Sequence, residues 1–133
     1  MESKIKDLSK YRFEKAEKNL EIAKDLFECE TYGVALNRAY YAAFDAMRAV
    51  NALDRFDSSK HSGVISHFNK NHVKNGDFDV STSSIIRRAS MLREKSDYED
   101  FYEPEKEDAE TVINEVEKFL SAVKRFLKEK TAE

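Results

Sequence analysis

Residues 34–53 read VALNRAYYAAFDAMRAVNAL, and the fold follows from how this stretch is read. Spaced at the helical period, Leu36, Ala39, Tyr40, Ala43, Ala46, Met47 and Val50 share one broad arc. Arg38, Tyr41, Asp45 and Arg48 fall on the opposite arc. This is the pattern of an amphipathic helix, starting near Gly33 or Val34 and ending around Leu53. Its many alanines allow neighbouring helices to approach closely.

The flanking sequence repeats the theme. Leu8, Ala16, Leu20, Ala23, Leu26 and Phe27 recur at three- and four-residue steps, which predicts a first helix from Ile5 or Leu8 to Glu28. Gly33 is the expected turn or C-cap residue after it. Asp54 to Ser59 reads as a loop. A short helix follows over Ser62–His72, carrying Val64, Ile65 and Phe68. Asn75-Gly76-Asp77 is a turn. A fourth helix begins after Asp79 or Ser81 and carries Ile85, Ile86, Ala89 and Leu92 inward as far as Asp97. Ser96 to Glu103 is expected to connect it to the last helix, with Pro104 in that helix's first turn. Ala109, Val112, Ile113, Val116, Phe119, Leu120, Val123 and Leu127 form the cleanest apolar stripe and carry the last helix to Lys128. Four long helices and one short one, joined by short loops, predict an all-α, antiparallel up-and-down four-helix bundle. With no repeat or linker visible, residues 1–133 read as one domain.

Composition narrows the class. Three glycines and one proline are too few for the turns of a β-sandwich. The single Cys29 allows no internal disulfide and suits a reducing, cytoplasmic setting. No apolar run approaches a membrane span, and no secretory segment is evident. The net charge of −3 argues against a bulk nucleic-acid coat, but not against a local basic patch.

Several chemistries lack their residues. There is no Gly-rich phosphate loop, no nucleophile elbow and no Cys pair, and no cofactor is expected. His61, His67 and His72 are six and five residues apart, not the four that stacks two ligands on one α-helical face. No metal site is therefore expected, and these histidines read as solvated or loop residues. Lys60–Lys74 holds three lysines, three histidines and no acid, and Arg87, Arg88, Arg93 and Lys95 follow. That is a basic face able to hold phosphate, or simply a solvated one.

Arg93 is the most informative residue. It shares the arc of Ile85, Ile86, Ala89 and Leu92, so a permanent cation is turned inward and needs a partner: Asp97, the Tyr98 hydroxyl, a groove acid or a bound anion. A structural ion pair and a functional role are both open. Arg38, Tyr41 and Asp45 form a second constellation, able to line a groove or a dimer surface.

Five segments in this order resemble the HEPN domain family (higher eukaryotes and prokaryotes nucleotide-binding). They are Tyr11-Arg12-Phe13-Glu14-Lys15-Ala16 leading into Leu20-Glu21-Ile22-Ala23-Lys24, the run Ala35–Phe44 followed by Lys60-His61-Ser62-Gly63-Val64-Ile65 with Phe68, and Arg93-Glu94-Lys95-Ser96-Asp97-Tyr98. The resemblance covers about 8–127. It implies a helical bundle that homodimerises, with functional residues near the dimer groove, and a minimal nucleotidyltransferase as partner in a toxin–antitoxin pair. Active members of the family are metal-independent endoribonucleases that use an Arg and, a few residues on, a His. Some paired toxins add a Tyr that the partner modifies. Here no His follows Arg87, Arg88 or Arg93 at that distance, and Asp97 and Tyr98 stand nearby instead.

Three functions are carried forward. The first is a non-catalytic or weakly catalytic homodimer that binds a nucleotide or RNA phosphate and pairs with a nucleotidyltransferase. Arg93 and Arg38 hold the phosphate, Tyr41 and Tyr98 stack or hydrogen-bond, Asp97 and Asp45 orient the arginines, and Lys60 and His61 extend the rim. The second is a ribonuclease toxin pairing Arg93 with a recruited His61. The third is a purely structural docking bundle.

Overall fold

The computed structural model describes residues 2–132, which hold five α-helices and no strand. These are α1 (Ser3–Glu28), α2 (Tyr32–Leu53), α3 (His61–Phe68), α4 (Ser81–Tyr98) and α5 (Lys106–Thr131). A π-helical turn, Asn69–Val73, prolongs α3.

Side-chain bonds set the directions. Ser9 Oγ donates to the Ala49 carbonyl (2.8 Å) and Asn19 Nδ2 to Asp45 Oδ2 (2.9 Å), so α1 and α2 run antiparallel. Asn37 meets Asp97 while Tyr40 meets Arg93, which makes α4 antiparallel to α2. Lys24 pairs with Glu117 and Lys124 with Glu17, which reverses α5 against α1. The four long helices alternate up and down, as expected.

α2 is central and touches each of the other four helices. Ala39, Ala42, Ala43, Ala46 and Ala49 are fully buried. Without long side chains on α2, its neighbours can close in from several sides. The arc expected to be polar is therefore not a solvated face: Asp45 is buried, and Arg38, Tyr41 and Arg48 are half-buried.

The break between α1 and α2 lies earlier than Gly33. Glu30 takes the left-handed conformation (φ 59°). Its N–H donates to the Phe27 carbonyl and that of Thr31 to Leu26, both at 2.9 Å, which is the Schellman pairing. α2 ends the same way, with Arg55 left-handed (φ 60°) and the N–H groups of Arg55 and Phe56 donating to Ala52 and Asn51. Gly33 instead sits in the first turn of α2, where a Cβ would lie 2.7 Å from Ser96 Oγ on α4; its role is close approach. Pro104 precedes α5 rather than lying in its first turn, and α4 continues through Ser96 to Tyr98. Asp79 does serve the start of α4, accepting the Ser81 N–H at 2.9 Å. Gly76, at φ 91°, makes the expected turn. No helix among the described residues is long and apolar enough to cross a membrane.

Candidate functional site

The cluster begins with the inward face of α4. Arg93 is 7% exposed, and its guanidinium carbon lies 4.7 Å from the centre of the Tyr40 ring and 5.6 Å from that of Tyr41. Stacking on aromatic faces suits a weakly hydrated, delocalised cation. Asp97, one turn on, is its ion-pair partner at 3.5 Å. Arg93 Nε is buried with no hydrogen-bond partner. The inward cation expected from the sequence is thus present, stacked and ion-paired, with hydrogen-bonding capacity to spare.

Asp97 does more than pair with Arg93. Its Oδ2 accepts the Asn37 side-chain amide at 3.0 Å, and Asn37 Oδ1 accepts Arg38 Nε (3.0 Å) and Nη2 (2.6 Å). Arg38 Nη1 donates to Asn19 Oδ1 at 3.2 Å, and Asn19 donates to Asp45. One polar chain, Arg93–Asp97–Asn37–Arg38–Asn19–Asp45, therefore joins the two constellations across α4, α2 and α1. Arg38 also lies over Tyr41, at 5.3 Å, so that phenol ring meets two guanidinium groups. Nothing in the sequence singles out Asn37 and Asn19. An uncharged amide carries no signal there until its helix neighbours are known.

The fold also supplies the imidazole that no residue after Arg93 provides. His61, the first residue of α3, lies with its Nδ1 2.9 Å from the Tyr40 hydroxyl. Its ring packs against Phe44 at 4.3 Å and edge-on to Tyr41 at 5.7 Å. Partial burial, then the nearby positive charge of Arg93, hold His61 below its ordinary pKa, with Glu94 opposing. The ring is therefore mostly neutral at neutral pH, as a general base requires. Burial raises the pKa of Tyr40, with Arg93 opposing, so its hydroxyl stays protonated. No His follows Arg93 at the family's distance; the imidazole near it is His61, the ring that the ribonuclease reading names as recruited from another helix.

Two of the named residues do not join the cluster. Tyr98 is 76% exposed, and Lys60 is exposed beside His61; neither contacts Arg93. Asp45 is buried, and its pKa is raised by burial against the pull of Lys15, Asn19, Arg48 and Arg38. His67 and His72 are not solvated: His72 is 5% exposed, and both rings bond Asp54.

The chain is similar in sequence to known proteins. Residues 9–126 match the family model described as HEPN domain. "Putative toxin MJ0142" of Methanocaldococcus jannaschii is 34% identical over 127 residues, covering 96% of this chain and 86% of its own length. "Putative toxin MJ0605" of the same organism is 40% identical over 114 residues, 86% of this chain and 84% of its own. A "UPF0332 protein" of Thermotoga maritima is 32% identical over 115 residues, 86% and 87% of the two chains. The helical architecture, the span of the match and these relatives together place the chain in one family: it belongs to the HEPN domain family.

Proposed function

We propose that this toxin-like HEPN chain acts on RNA phosphodiesters without a metal ion, using Arg93 and His61 in one site. The observation that carries the proposal is the His61–Tyr40 contact at 2.9 Å with Arg93 over the same Tyr40 ring. A permanent cation and a neutral imidazole are the two groups that cleavage of RNA by its own 2′-hydroxyl requires. With its proton on Nδ1, shared with the Tyr40 oxygen, His61 presents the Nε2 lone pair. Nε2 takes the 2′-hydroxyl proton as the 2′-oxygen bonds to phosphorus. The bond from phosphorus to the 5′-oxygen breaks as that oxygen takes a proton from water, leaving a cyclic phosphate and a 5′-hydroxyl, and the His61 imidazolium then gives its proton back to solvent. Arg93 stabilises the charge that builds on the phosphoryl oxygens, and Asp97 holds it in place. Arg38 and Tyr41 flank the path of the strand.

A second reading has its own support. Arg93 is deeply buried and Arg38 lies close by, an arrangement that also suits holding a nucleotide phosphate without cleaving it. In either reading the chain works as a homodimer with a minimal nucleotidyltransferase as antitoxin. The toxin names of two relatives and the exposed apolar Met91, Tyr98 and Phe101 on and after α4 support such partners.

The test is cleavage of end-labelled single-stranded RNA in excess chelator, with binding of the same RNA measured in parallel. The wild type is expected to cleave. His61→Gln and Arg93→Lys, checked for native circular dichroism, are expected to lose about 100-fold or more in rate. Binding without cleavage, weakened by Arg93→Lys, selects the phosphate-holding reading. Neither binding nor cleavage by the wild type removes both.

A further inference from the structure

A second cluster lies where α2, α3 and the π turn meet, apart from Arg93 and independent of the function proposed above. Asp54 is the C-cap residue of α2. His67 lies in α3, and His72 in the π turn. The Nε2 atoms of His67 and His72 both point at Asp54 Oδ2, at 2.9 and 2.6 Å. Three donor atoms from three residues thus converge within 4.8 Å of one another.

The local backbone explains how a spacing of five achieves this. In a regular α-helix, residues five apart diverge around the axis. Here Lys74 N–H donates to the Asn69 carbonyl at 2.9 Å, the five-residue step of a π-helix. The wider turn brings His72 back onto the face of His67, and their ring centres lie 6.3 Å apart. π turns of this kind recur at functional sites.

The surroundings are those of a ligand set. His72 Nδ1 lies 2.9 Å from Asp77 Oδ2. A carboxylate behind the outer nitrogen is what orients a metal-binding imidazole and fixes its tautomer. Once the Nε2 proton that His72 shares with Asp54 is displaced, the proton kept on Nδ1 and donated to Asp77 leaves an Nε2 lone pair for an ion. Phe56 stacks on His67 at 3.9 Å, and Phe126 of α5 meets the edge of His72 at 5.6 Å, so both rings are held.

We propose that Asp54, His67 and His72 form a site for a borderline divalent cation, Zn²⁺ foremost, with Asp77 orienting His72 and water completing the shell. Two imidazoles and one carboxylate suit such an ion rather than the oxygen-seeking Mg²⁺ or Ca²⁺. Ligand atoms around a tetrahedral Zn²⁺ stand about 3.3 Å apart, so the present hydrogen bonds must open by about half an ångström. Asp54, with a third of its side chain exposed (33%), has room to move. Asn71 Nδ2 lies 3.2 Å from His67 Nδ1 and donates to the His67 carbonyl at 3.0 Å; on loading, the amide keeps the carbonyl and moves off Nδ1, which then carries the ring proton. The ion displaces the protons now shared between the rings and Asp54.

The experiment titrates the chelator-stripped chain with Zn²⁺ by calorimetry and with Co²⁺ by visible absorption at mildly alkaline pH. One ion per chain is expected, with a tetrahedral Co²⁺ band and a rise in Tm on Zn²⁺ addition. Asp54→Asn and His67→Ala, both at partly exposed positions, should abolish the Co²⁺ band while native circular dichroism is kept. Asp77→Asn should weaken Zn²⁺ about ten- to a hundredfold. No Zn²⁺ heat and no Co²⁺ band in the wild type would overturn the proposal. Equal affinity in the wild type and the two ligand variants would overturn it as well, since the ion would then sit elsewhere.

Discussion

At the scale of single residues, this chain buries charge only where a network receives it. Asp45 is the sharpest case. Burial opposes its ionised form more than Lys15, Asn19, Arg48 and Arg38 favour it, so its folded-state pKa is raised. A raised carboxyl pKa means the folded state holds the proton more tightly than the unfolded chain does. The stability this contributes is complete at acid pH, below the unfolded value, and is lost as pH rises through the folded value. At neutral pH the carboxylate is therefore a cost, and an amide of the same shape removes it. The oxygen of that amide can still accept the Asn19 side-chain N–H that Asp45 accepts at 2.9 Å. Asp45→Asn is expected to raise Tm at neutral pH, with the gain fading toward the acid end of the carboxylate range. Thermal melts across that range check both parts. The sequence casts Asp45 as an orienting residue; in the structure it accepts from Asn19, which in turn accepts from Arg38.

At the scale of elements, helix ends separate what the sequence states openly from what it conceals. Periodicity places the helices because apolar spacing is a property of each segment alone. The stops are less legible. Gly33 reads as the C-cap because glycine tolerates positive φ without strain, yet Glu30 adopts it. The Schellman bonds from Glu30 and Thr31 offset a cost of about 1 kcal/mol for a non-glycine residue. Glu30→Gly is accordingly expected to stabilise the chain by about 0.5–1 kcal/mol, less the entropy that glycine adds to the unfolded state, as read from urea midpoints. A loss of stability would show that the Glu30 side chain contributes something beyond the turn. The π turn is illegible for a different reason. The spacing rule for histidine ligands assumes an α-helical step, and the Asn69–Val73 step is wider.

At the scale of the whole molecule, the site exists because α2 is small enough to be surrounded. Its buried alanines let α1 and α4 close on it, which stretches one polar chain from Asp45 to Arg93. The same packing sets the start of α3 against Tyr40 and Phe44, where His61 meets the ring that Arg93 covers. The inward turn of Arg93 is legible in one helix's period, and the family in segments scattered along the chain. The sequence names His61 only as a candidate partner for Arg93, because their meeting depends on where a short helix docks after a loop. Histidine side-chain NMR of the whole chain, with and without an RNA dinucleotide whose attacking 2′-hydroxyl is replaced by hydrogen, tests that meeting most directly. Free His61 should titrate below its ordinary value. The bound phosphate should shift its ring signals and raise its pKa, and Arg93→Lys should weaken both effects. A His61 ring that titrates normally and ignores the dinucleotide, in a chain whose other signals show it bound, would contradict a shared Arg93–His61 site.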